Sequence, residues 1–117
     1  LAAIVAARHW NGAYAWGAQA RDALTAGVSR ETVDAINQRR TPVFDDADDQ
    51  AAYDAALEIT DTGGLSEGSF EAASARLGFN TLLDLVAMTS FYTAVSLAVN
   101  VFAVEPRAEF PVQLARD

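Results

Sequence analysis

From Leu85 to Val104 the chain runs for twenty residues without a charged side chain. As a helix, at 1.5 Å of rise per residue, such a stretch is long enough to cross a bilayer. Five of the twenty residues are nevertheless threonine, serine or asparagine (Thr89, Ser90, Thr93, Ser96 and Asn100), and no arginine cluster flanks either end to set an orientation. A helix apolar all round is also what a central core helix or a subunit-interface helix looks like. The remaining segments read as amphipathic helices. The expectation is therefore a buried central helix, with no membrane partner.

At 117 residues the chain is one domain, large enough to bury a core. About one residue in five is alanine, β-branched runs are few, and no segment alternates strictly, which favours helix throughout. The net charge of −8 argues against nucleic acid, because neutralising phosphates needs clustered cations. All eight basic residues are arginine, so lysine Schiff-base chemistry is excluded. Cysteine is absent too, which removes disulfides, thiolate metal sites and thiol redox chemistry. Leu1–Ala7 has neither a basic n-region nor a cleavage site, and a cytoplasmic setting is expected. The chain opens inside an apolar helical pattern without a start methionine, from which a missing upstream segment is expected.

The segments follow from caps and breakers. A first helix is predicted from the start to about Ala26, stopped by Gly27. Ser29 caps a second, Arg30 to about Arg39, with Val33 and Ile36 facing inward. Thr41-Pro42-Val43-Phe44 is a connector. Asp45, Asp46, Asp48 and Asp49 open a third helix, to about Thr60 or Asp61, where carboxylates complement the helix dipole. Its buried stripe is Tyr53, Ala56, Leu57 and Thr60. Gly63-Gly64 breaks the chain, Ser66 caps a fourth helix and Gly78 ends it. The last helix runs from Asn80 or Thr81 to about Val104. The fold class is thus all-α, a single-domain bundle of about five helices spanning 1–105, with an irregular tail at 106–117.

The first predicted helix carries Arg8-His9-Trp10-Asn11-Gly12-Ala13-Tyr14-Ala15-Trp16-Gly17-Ala18-Gln19, which holds the only histidine and both tryptophans. On one continuous helix His9 and Trp16 fall in line with Gly12 between them, while Trp10 and Tyr14 form a second stripe. Gly12 leaves a gap for a ligand or another backbone. His9 is the candidate general acid or base, since an imidazole titrates near neutrality. The competing reading makes these aromatics core or interface anchors and His9 a satisfied buried donor. Gln19 lies roughly 15 Å along the axis from His9, too far for a direct pair. One histidine without cysteine makes no zinc site, and Asp46-Ala47-Asp48-Asp49-Gln50 lacks the glycine and closing glutamate of a calcium loop, so no metal is expected. Arg39-Arg40 reads as a charged helix end, too small to be an anion site alone.

The run His9-Trp10-x-x-x-Tyr14-x-Trp16, followed by Ala26-Gly27-Val28-Ser29, resembles the carboxymuconolactone decarboxylase-like proteins. So do Arg40-x-Pro42-x-Phe44, Leu65-Ser66, Leu82-x-Asp84-Leu85 and Phe91-Tyr92-Thr93…Asn100-Val101-Phe102. The resemblance covers about residues 1–105. It implies an all-α, alkylhydroperoxidase-like fold, assembly into trimers, hexamers or dimer-based homo-oligomers, and pockets between helices near subunit contacts. It further implies a decarboxylase-like enzyme acting on a small carboxylated or lactone-type metabolite without metal or organic cofactor. His9 would be the acid or base, and Trp10, Tyr14, Trp16, Gln19 and Asn100 would bind substrate. Two departures stand out. The related motif continues Tyr-Glu-Trp-x-x-His, placing a carboxylate at Ala15 and an imidazole at Gln19, and this chain has neither. The Cys-x-x-Cys pair of the peroxidase branch is missing, so thiol peroxidase activity is excluded. The alternative is a non-catalytic, oligomeric small-molecule-binding protein of the same fold.

Overall fold

A computed structural model describes residues 1–116. Six helices form a small all-α bundle: α1 (Ala2–His9), α2 (Ala13–Thr25), α3 (Arg30–Asn37), α4 (Ala47–Thr62), α5 (Glu67–Leu77) and α6 (Phe79–Val101). Most boundaries follow the local chemistry. Ser29 accepts from the Thr32 amide, Ser66 from the Ser69 amide, and Asp46 from the amides of Asp48 and Asp49, each side chain satisfying donors that a helix start leaves open. Gly27, Gly63 and Gly78 take positive φ at the helix ends, a conformation that costs glycine little.

The single helix expected over the first 26 residues is instead two. Asn11 adopts φ 52°, the Asn11 amide donates to Arg8 O, and the Gly12 amide donates back to Ala7 O at 3.0 Å. This pair of backbone bonds closes α1 with a left-handed residue, a position asparagine tolerates. The chain then turns and α2 restarts. The gap at Gly12 is filled by α6: a Cβ on Gly12 would lie 2.8 Å from both Cβ and Oγ of Ser96. Gly17 has a similar purpose, since the ring of Phe110 from the C-terminal tail sits where its Cβ would be. The tail has no helix, yet Phe110 and Val112 are buried.

The core is built from Ile4, Val5 and Ala7 of α1, Trp16 and Ala20 of α2, Val33 and Ile36 of α3, Tyr53 and Ala56 of α4, and Leu82 and Leu85 of α6. The inward placement of Val33 and Ile36 holds. On α4 the buried stripe is Tyr53, Ala55 and Ala56, whereas Leu57 is 37 % exposed and Thr60 half-buried. The last helix is central to the bundle, but the chain buries only one side of it. α6 lies against α1, α2, α4 and α5, but only Leu82, Leu85, Thr89 and Ser96 are buried. Four neighbours of modest size cover one side of a 23-residue helix and leave the other open.

Candidate active site

α1 and α3 end side by side, and both end in the same way. Arg39 takes φ 57°, and the amides of Arg39 and Arg40 fold back to Ile36 O and Ala35 O, as those of Asn11 and Gly12 do on α1. Each helix thereby presents basic side chains beside its own negative end, a favourable placement. The Arg8 guanidinium is almost fully buried; its Nε donates to Asn37 O at 2.6 Å and its Nη1 to Asn11 Oδ1. Arg39 Nη2 donates to the same Asn11 Oδ1 at 3.1 Å, so one amide oxygen ties the two helix ends together. Asn37 in turn holds the tail, donating to Gln113 O and accepting from the Ala115 amide, both at 2.9 Å.

Across from these ends stands α4, and between the three helices lies a cavity of about 210 Å³. Three of the eight basic residues, Arg8, Arg39 and Arg40, line it together with His9, Tyr53 and Asp61. The volume is below the range of drug-sized ligand sites, which suits a small molecule. His9 Nδ1 lies 3.2 Å from Asp61 Oδ1, with the imidazole about 29 % exposed. Such a contact orients the ring and selects the tautomer with the proton on Nδ1, leaving Nε2 to exchange a proton. The Trp10 ring meets the imidazole edge-on, centroids 5.0 Å apart. Tyr53 is held above the ordinary phenol range, mainly by burial and further by the charges of Asp54 and Asp61. Its hydroxyl therefore stays protonated near neutral pH, able to donate but not to act as a base.

The residues expected to share a site are dispersed by the break at Asn11. His9 lines the cavity, but Trp10, Tyr14, Trp16, Gln19 and Asn100 do not. Trp16 is completely buried in the core, and among the described residues its Nε1 has no hydrogen-bond partner. Tyr14 packs edge-on against Phe110, 5.3 Å between centroids. Asn100 Nδ2 donates to Trp10 O at 2.7 Å and so fastens the end of α1 to α6. Trp10 instead borders a separate cavity of about 310 Å³, lined also by Thr89, Ser90 and Thr93. Gln19 is half-buried on α2.

Asp61, Arg8 and Tyr53 were not singled out for the site from the sequence. Asp61 follows His9 by 52 residues, and only the packing of α4 on α1 brings them together. Arg39-Arg40, too small alone, gains Arg8 from another helix. Among the described residues no three His, Asp or Glu side chains converge as a metal-ligand set. Of the aspartates opening α4, Asp46 caps it and Asp48 pairs with Arg76. No family model matches the chain, nor does any curated protein or solved structure. The likeness to carboxymuconolactone decarboxylases rests on the residues quoted for it.

Proposed function

We propose that the chain is an acid/base enzyme of the carboxymuconolactone decarboxylase-like type, acting on a small carboxylated or lactone-type metabolite in the cavity between α1, α3 and α4. The observation that carries this reading is the His9–Asp61 contact at 3.2 Å in a cavity lined by three arginines. The guanidinium charges draw a carboxylate into the site of a chain that is otherwise strongly acidic. Asp61 acts as a positioning residue, fixing the imidazole, while Tyr53 donates a hydrogen bond. In the decarboxylation the C–CO₂ bond breaks and its electron pair stays on carbon. Protonated His9 then delivers the Nε2 proton to that carbon, CO₂ leaves, and the imidazole recovers its proton from solvent. No metal or organic cofactor enters this sequence.

A spectrophotometric decarboxylation assay with carboxymuconolactone tests the reading. His9→Ala is expected to lower kcat by roughly 10²-fold or more, the usual contribution of a positioned acid or base. Asp61→Asn is expected to lower kcat with little change in KM. Equal rates for wild type and His9→Ala would remove His9 from the chemistry. A second reading, a binding protein that has lost its chemistry, is favoured by Ala15, which sits buried in the core where the related motif has a glutamate. It requires a wild type that binds carboxymuconolactone with no turnover.

A further inference from the structure

A second cavity lies on the other side of the His9–Trp10 ring pair. It has a volume of about 310 Å³ and is walled by Ile59 and Thr60 of α4, by Thr89, Ser90 and Thr93 of α6, and by Trp10. His9 lines the arginine-lined cavity and Trp10 this one, so the two rings in contact stand between the two spaces. We infer that the second cavity is a binding site for a neutral ring carrying a hydroxyl group, of which a phenol is the simplest form. It is separate from the site proposed for the decarboxylation and does not depend on that reading.

The threonines set the polarity of this space. The Thr60 hydroxyl is shared between Ala56 O at 3.0 Å and Leu57 O at 2.9 Å. Thr89 Oγ1 donates to Leu85 O, and Thr93 Oγ1 to Thr89 O, both at 2.8 Å. A threonine hydroxyl has one proton, and each of these three commits it to a carbonyl of its own helix. What each oxygen still offers is its lone pairs, so the threonines accept from a ligand and do not donate to it. A molecule that satisfies them brings a hydrogen-bond donor of its own.

Charge and shape narrow the class further. Among the described residues no charged side chain lines the cavity. A cation taken out of water there would lack a paired charge, and an anion would face lone pairs. A phenolic hydroxyl avoids both penalties, since it donates a proton to an acceptor and stays un-ionised near neutral pH. The rest of the wall is apolar, formed by Ile59, the threonine methyl groups and the Trp10 ring. Trp10 is fixed in place, because its carbonyl accepts from Asn100 Nδ2 at 2.7 Å, yet the residue is 37 % exposed. An indole held still with free surface is a platform on which another ring packs favourably. The volume stands at the low end for small-molecule sites, which suits a single ring.

The chain has two tryptophans, so a ¹⁵N-labelled sample gives two indole N–H resonances, one from Trp10 at the cavity and one from Trp16 in the core. Titration with p-cresol should shift the Trp10 resonance saturably and leave that of Trp16 in place. Toluene, titrated in the same way, isolates the hydroxyl. Where a buried hydroxyl finds no acceptor it is penalised, and toluene binds the more tightly. With the threonine oxygens present, p-cresol should be the tighter ligand by about threefold or more. Combining Thr60→Val, Thr89→Val and Thr93→Val keeps the side-chain shapes and should abolish that preference while toluene still binds. Ser90→Leu, at an exposed position, fills the space and should abolish binding of both. An unmoved Trp10 resonance overturns the inference, as does toluene binding as tightly as p-cresol to the wild type. So do benzylammonium binding more tightly than p-cresol, a valine variant that keeps the preference, and a Ser90→Leu protein that binds either ligand as the wild type does.

Discussion

Gly12→Ala probes the corner that places His9 beside Asp61. Gly12 has φ −78° and ψ 88°, which any residue can adopt, so the substitution meets no backbone penalty. What it meets is α6. The added methyl would lie 2.8 Å from Ser96 Cβ, 2.8 Å from its Oγ and 3.0 Å from its Cα. Ordinary carbon contacts are near 3.5–4.0 Å. Because a backbone atom is among the three, rotating the serine cannot relieve the overlap, and α1–α2 and α6 must separate. Overpacking of this kind costs about 1–3 kcal/mol. At about 4 °C per kcal/mol for a domain of this size, thermal unfolding followed by circular dichroism should shift down by roughly 4–12 °C. The partner change discriminates cause from coincidence. Ser96→Gly alone should cost about 1 kcal/mol through helix propensity, but in the Gly12→Ala background it should cost nearly nothing, because it removes two of the three close atoms. The cycle therefore returns a favourable coupling of about 1 kcal/mol. A Gly12→Ala protein melting within a degree of wild type, or strict additivity with Ser96→Gly, would refute the close approach of the corner to α6.

Ala103, the residue after the Phe102 C-cap of α6, takes φ 51°, a conformation costly for any residue with a Cβ, so Ala103→Gly should raise stability by about 0.5–1 kcal/mol in urea unfolding. Gly17→Ala should lower it, since the Phe110 ring occupies the site of the methyl, and tryptophan fluorescence should report the displaced tail. Glu58 is held below the ordinary carboxylate range, first by the Ser69 hydroxyl and then by the Ser66 amide. A carboxylate depressed in the folded state contributes at pH above its unfolded value and loses that contribution as pH falls through the folded one. The Ser66 amide resonance should therefore titrate with a midpoint below that of a free glutamate, and Glu58→Gln should abolish the titration.

Much of the bundle was legible because its boundaries are written in local chemistry. Ser29, Asp46 and Ser66 cap where oxygen-bearing side chains precede helical runs, and Gly27, Gly63 and Gly78 end helices where a positive φ is needed. The break at Asn11-Gly12 carried a signal of the same kind, since this dipeptide marks turns, but alanine-rich helix on both sides masked it. That one omission merged α1 with α2 and aligned His9 with Trp16, which the turn separates into cavity and core. Which residues of α6 face outward was illegible for a different reason. In a segment without charges, inside and outside have the same composition, so hydropathy cannot orient the helix. The His9–Asp61 contact and the arrival of Arg8 beside Arg39 depend on packing between segments far apart in sequence, to which local periodicity is blind.

The central claim is that a small carboxylate binds where His9, Asp61 and the three arginines meet. His9 is the only histidine, so a ¹³C,¹⁵N-labelled protein gives a single imidazole signature. Titration with carboxymuconolactone should shift those ring resonances saturably, while the Trp16 indole, sealed in the core, stays in place; Arg40→Ala should weaken the binding at least tenfold. Saturable binding that leaves the His9 ring unmoved and instead shifts the resonances of Trp16 and Gln19 would contradict the assignment of the site.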